Sequence, residues 1–221
     1  QKSINIIKIE NPDDFNNLIN QLNAVPSFAF DILYSSNDRQ NNDIIAIAFS
    51  FQNNSAYYLE LKKTNNTNQL FEEKLQNPNN QILTIEYVLA RLKRILANSN
   101  IQKIAENIKY HTFVQKRFGS DVKGKLFDPV IASYLLNPDN NHSIDALFQK
   151  WIDKDLTPSY NFLDINKRNS TVDYYARICE KTAYLLQLQD ILTKELEKVN
   201  LHKLANEIEF PLMKVLADME Y

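Results

Sequence analysis

The chain has 221 residues, enough for one large domain with its own core. Hydrophobic residues make up 44% and charged residues 24%, an ordinary globular balance, and no apolar run approaches the roughly 20 residues of a membrane span. A net charge of −2 provides no basic field for nonspecific nucleic-acid binding, which argues against an autonomous tight DNA binder but not against an enzyme with an acidic site.

The single cysteine, Cys179, rules out an internal disulfide and fits a reducing cytoplasm. The opening QKSINIIKIENPDD does not read as a signal peptide, because its apolar stretch is short and broken by Lys8. Asparagine pairs such as Asn65-Asn66 and Asn79-Asn80 fit codon bias in an AT-rich genome. The sequence starts without Met and stops on a predicted helix, so a piece of a longer chain is expected.

In chain order, residues 4–9 (INIIKI) predict an edge strand. Asn11-Pro12-Asp13-Asp14 starts a helix, carried by Phe15, Leu18, Ile19 and Leu22 at helical spacing and ended by Val25-Pro26. Three strands follow at 27–33, 44–51 and 55–61, the last two joined through Gln52-Asn53-Asn54, and short links predict an antiparallel meander. The middle strand, IIAIAFSF, is apolar on both faces and reads as central.

Residues 62–81 read as a polar surface loop and 84–97 as a strongly amphipathic helix. A short strand at 101–105 precedes a helix near 109–118 closed by Gly119. Asp128-Pro129 starts a helix through Leu136, and Ser143 caps another that carries Leu147 and the single tryptophan, Trp151, both expected in the core. Residues 153–170 read as a mobile loop, 173–197 as a long helix, and 201–221 as the beginning of a last one. No internal repeat or second domain is evident.

Several tracts, in order, carry a resemblance. They are P26-S-F-A-F-D31, I104-A-E-N-I-K-Y-H-T-F-V-Q-K-R-F-G119, L126-F-D-P-V-I-A-S-Y-L-L136, H142-S-I-D-A-L-F-Q-K-W151 and Y175-A-R-I-C-E-K-T-A-Y-L-L-Q-L188. Together they resemble the 3′–5′ exonuclease (proofreading) domain of bacterial DNA polymerase I, and N206-E-I-E-F-P-L-M-K-V-L-A-D-M-E-Y221 resembles the helix leading into the polymerase palm. The resemblance implies an α/β fold of ribonuclease H-like type, with a mixed central sheet flanked by helices. It implies an exonuclease-like domain over residues 1–200 and, over 201–221, the start of the connection to a polymerase domain. The parent chain would be a DNA-directed DNA polymerase of replication and repair, cytoplasmic and monomeric.

Exonucleases of this type use two divalent metals about 3.5–4 Å apart, one preparing the water and one steadying the leaving oxygen. Mg²⁺ and Mn²⁺ need hard oxygen ligands, so several carboxylates must converge. The resemblance places the first family Asp at Asp31 but puts Leu33 where its partner Glu belongs, a spacing of two that shares one strand face. His111 and Cys179 stand in the positions of the other two Asp residues, and Tyr175 in that of the tyrosine that helps place the water. One carboxylate of four remains, so paired Mg²⁺ binding is not expected and Asp31 and Tyr175 read as vestigial catalytic residues. Asp31 is equally readable as a polar strand-end residue, and Tyr175 as a packing residue.

Asn107 and Tyr110 match family positions near the single-stranded DNA cleft, with an N-cap side chain and a half-buried aromatic as their plainer readings. His142 reads as a loop residue at a helix start, and Asp128 as a helix cap. As an alternative, an Asp31, His111 and Cys179 set would suit Zn²⁺ rather than Mg²⁺. The expected role is a catalytically inactive structural platform, without a resident cofactor, touching a DNA 3′ end or primer-template weakly. The alternatives are a residually active exonuclease built on Asp31 and Glu180, and a non-catalytic single-strand binder using Tyr110.

Overall fold

The computed structural model describes residues 4–35, 38, 43–61, 83–156 and 171–221. The predicted loops at 62–81 and, from residue 157, at 153–170 lie outside them.

Among the described residues a six-stranded mixed sheet runs in the order β1-β4-β3-β2-β5-β6. Its strands are β1 (Asn5–Lys8), β2 (Ser27–Tyr34), β3 (Ile44–Ser50), β4 (Ser55–Glu60), β5 (Gln102–Ile104) and β6 (Leu126–Phe127). The meander β2-β3-β4 is antiparallel, as the short links require, and β1 adds to β4 in parallel at one edge. On the other side β5 pairs parallel with β2, and β6 parallel with β5. The two-residue β6 is too short for any period-2 signal, and it was not anticipated.

The helices are α1 (Pro12–Ala24), α2 (Ile85–Leu96), α3 (Ile108–Arg117), α4 (Pro129–Leu136), α5 (Ile144–Ile152) and α6 (Thr171–Lys198). A last stretch combines α7 (His202–Leu204), a π turn (Ala205–Glu209) and α8 (Phe210–Glu220). Starts follow local chemistry: Asn11 accepts from the Asp14 N–H, Thr84 from Tyr87 and Ser143 from Ala146. Gly119 closes α3 at φ 66°, a left-handed value that favours glycine.

Helices α1 and α2 pack together, with Phe15 against Tyr87. Helix α6 lies across β2, β3 and β4. Its contact with the sheet is made of small residues, Ala48 and Ala56 from the strands and Cys179 and Ala183 from the helix, joined by Ile178. Small side chains let a helix backbone approach a sheet closely, and that approach fixes what α6 can reach on β2. Trp151, expected in the core, is only half-buried against it, and its indole N–H has no protein partner.

Candidate functional site

The site is built on β2. Pairing sets Asp31 beside Ala48 of β3, and Ala48 beside Tyr58 of β4, in one row across the sheet. Ala48 packs against Cys179, so this row faces α6. Leu33, two residues beyond Asp31, packs on the same apolar cluster, as strand alternation dictates.

Asp31 is 7% exposed. Its Oδ2 lies 2.7 Å from the Lys181 Nζ, and its Oδ1 lies 3.4 Å from the His111 Nε2 and accepts the Ile32 N–H at 2.9 Å. Burial alone would raise the Asp31 carboxyl, but the Lys181 ammonium and His111 outweigh it and hold it below the usual carboxylate range. His111, itself buried, lies against the Phe30 ring, and its Nδ1 stands 3.1 Å from the Tyr34 hydroxyl. A proton on Nε2 serves both contacts: Nε2–H faces the carboxylate, and Nδ1 accepts from the tyrosine.

Lys181 also holds Glu106, whose Oε2 is 2.7 Å from its Nζ. Burial would lower the Lys181 ammonium, and Asp31 and Glu106 together raise it well above the ordinary range. Cys179 is fully buried, and burial, then Glu180 and Asp31, push its thiol up to about 12. It therefore stays protonated at neutral pH. Tyr175, one turn before it, stacks on Tyr58 with ring centroids 5.5 Å apart. Burial and a hydrogen bond with Glu60 raise its hydroxyl.

Asp31, Leu33, His111 and Cys179 thus line one region between β2, α3 and α6. Yet among the described residues no three His, Cys, Asp or Glu side chains converge to hold a metal ion. A divalent pair needs several free anionic oxygens. Here one Asp31 oxygen is taken by an ammonium, and two of the remaining positions carry an aliphatic group and a protonated thiol. The residues do not fit the metal pair that an exonuclease of this fold implies.

Asn107 precedes α3 in the left-handed region (φ 54°), exposed, and its side chain makes no capping hydrogen bond. This corrects its reading as a side-chain cap: with its backbone in that region, the Ile108 N–H is accepted by Asp128 Oδ2 at 3.0 Å instead. Tyr110 is half-buried, edge-on to Tyr34 at 5.3 Å between centroids. His142 sits on the loop before α5, hydrogen-bonded with Ser133 and the Pro138 carbonyl.

Lys181 and Glu106 were not found from the sequence. Both lie inside the tracts that carry the resemblance, but a lysine's four-carbon stem reaches targets that helical phase does not reveal.

A mixed sheet with α6 laid across its antiparallel meander, and an acidic residue on β2 facing that helix, defines a ribonuclease H-like exonuclease fold. Solved structures share it: Brucella melitensis NrnC bound to pGG (TM-score 0.70, 16% identity, 100% of this chain and 94% of that one) and the RRP6 catalytic core of Trypanosoma brucei (0.67, 18%, 97% and 52%). The POL domain of Pol1 from M. smegmatis, in complex with DNA primer-template and dNTP, gives 0.69 at 16% identity, covering 98% of this chain and 32% of that one. The chain belongs to the 3′–5′ exonuclease family of DNA polymerase I, whose family model, described as 3′–5′ exonuclease, matches residues 6–197.

Among curated proteins, DNA polymerase I of Borreliella burgdorferi is 26% identical over 216 residues, 94% of this chain and 22% of that protein. DNA polymerase I of Synechocystis is 31% identical over 147 residues, 62% of this chain and 15% of that protein. The chain thus spans about a fifth or less of the curated relatives it matches.

Proposed function

We propose that this chain is a catalytically silent exonuclease domain that serves as a structural platform in a DNA polymerase I-type protein of replication and repair. One observation carries the reading: the metal-ligand positions implied by the family hold Leu33, His111 and a protonated Cys179 around a single carboxylate that is already engaged by an ammonium. Without paired metals neither the attacking water nor the leaving oxygen is activated, and phosphodiester cleavage loses its main source of rate.

The platform role draws support from the last helix. Phe210, Met213 and Ala217 are buried against the domain, and Lys109 and Lys116 pair with Glu220 and Asp218. The opposite face, Ile208, Leu212, Val215, Leu216 and Met219, is exposed and apolar. Such a face fits residues 201–221 as the connection to a polymerase domain docked there. No helix among the described residues is long and apolar enough to cross a membrane, and the proposal places the parent protein in the cytoplasm as a monomer.

The test is a nuclease assay on labelled single-stranded DNA with Mg²⁺ or Mn²⁺. No trimming from the 3′ end is expected. Metal-dependent trimming that Asp31→Ala removes would overturn the proposal.

A further inference from the structure

The metal pair does not fit, yet the pocket does not lack a cation. The Lys181 Nζ stands 2.7 Å from Asp31 Oδ2 on β2 and 2.7 Å from Glu106 Oε2, between β5 and α3. Its side chain is 16% exposed, and those of its partners are 11% and 25% exposed. Two carboxylates this close, on different elements and largely withdrawn from water, repel each other unless a positive charge lies between them. In a metal-dependent site that charge comes from solution and leaves with a chelator. Here it is covalently part of α6.

We propose that the Lys181 ammonium is the resident cation of this pocket: it bridges Asp31 and Glu106 in place of a divalent ion and closes the site to metals. The inference deepens the silent-exonuclease reading and rests on it, but its test reads cation binding and thermal stability, so either can fail alone.

Three observations support the assignment. Lys181 joins both carboxylates, and each contact is a charge-assisted hydrogen bond at ideal length. The other Asp31 oxygen accepts the Ile32 N–H and faces His111, so both oxygens already meet donors of the protein itself. And α6 rests on the sheet through Ala48, Ala56, Cys179 and Ala183, a close approach that brings position 181 within reach of β2. The bridge ties the long helix to the central strand and to the start of α3, the elements that a metal would otherwise cross-link.

The experiment is performed on the whole chain. Unmodified protein should leave the electron paramagnetic resonance signal of free Mn²⁺ unchanged, and should melt at the same temperature in EDTA and in millimolar Mn²⁺. Lys181→Gln should melt lower by roughly 5–10 °C, because two carboxylates lose their shared partner, and should recover part of that loss in Mn²⁺. Asp31→Asn combined with Lys181→Gln should melt above Lys181→Gln alone and be indifferent to Mn²⁺. If Lys181→Gln does not fold at all, folding of the double variant supports the bridge, and failure of both overturns it. Mn²⁺ binding by the unmodified protein, or a Lys181→Gln variant as stable as the original, also overturns it.

Discussion

Asp128 closes two helices at once. Its Oδ1 accepts the Val130 N–H at 2.9 Å, capping its own helix, and its Oδ2 accepts the Ile108 N–H at 3.0 Å, capping α3 twenty residues away in sequence. The second bond takes over the role that the Asn107 side chain does not fill, and it fixes the helix that presents His111 to Asp31.

That carboxyl carries a pH signature. Burial pushes Asp128 up to about 6 despite its backbone N–H donors. A carboxyl raised on folding binds more protons in the native state, so its stabilising contribution is complete at low pH and disappears as pH rises through about 6. Asp128→Asn abolishes the titration. Its cost in stability is expected to be about 1 kcal/mol larger at pH 5 than at pH 7.5, measured by urea unfolding of both proteins. An equal cost at the two pH values would contradict the assignment.

The Tyr34–His111 pair gives a second prediction. Both side chains are buried, and the hydroxyl–Nδ1 contact is 3.1 Å. Tyr34→Phe should cost about 1 kcal/mol, the net worth of one hydrogen bond. His111→Leu should cost about 2–3 kcal/mol, because it removes a buried partner from both the tyrosine hydroxyl and Asp31. Combined, they should cost less than their sum. Strict additivity in equilibrium unfolding would show that the two groups do not interact.

Two glycines should respond unequally to alanine. Gly119 sits at φ 66°, and a Cβ there would meet nothing nearer than the Lys93 Nζ at 3.7 Å. Gly124 sits at φ 92°, and a Cβ would lie 2.8 Å from the carbonyl oxygens of both Ile101 and Ser99. Gly119→Ala should cost about 1 kcal/mol, the ordinary left-handed penalty, and Gly124→Ala about 3 kcal/mol, since backbone atoms must also move. Melting temperatures in the reverse order would refute this.

The last helix should show a sharp difference between its faces. Met213→Ala and Phe210→Ala remove buried side chains and are expected to cost about 2–5 kcal/mol. Leu212→Gln and Val215→Gln lie on the exposed face, and in this chain alone should change stability by less than about 0.5 kcal/mol. Thermal melts of the four variants separate the two classes, and a large loss at Leu212 would show that its face is packed.

Much of the fold was legible because it rests on local chemistry. The helix starts at Asn11 and Ser143, the hairpin through Asn53 and Asn54, and the buried β3 follow from hydrogen bonds or periodicities that span a few residues. Part of the site was legible too. The period-2 alternation of β2 put Asp31 and Leu33 on one face; His111 lies beside Asp31, and Cys179 belongs to the apolar cluster that Leu33 packs on.

The sequence by itself determined the sheet's meander and the helix starts, because each is a property of a residue or its near neighbours. Only the tertiary structure decided what Asp31 touches. A carboxylate's partner depends on how closely α6 approaches the sheet and how far a lysine stem reaches across it, and neither distance is written in local periodicity. The same holds for Asp128 and Ile108: the donor was orphaned by a left-handed Asn107, and an acceptor twenty residues downstream came within 3.0 Å through folding alone.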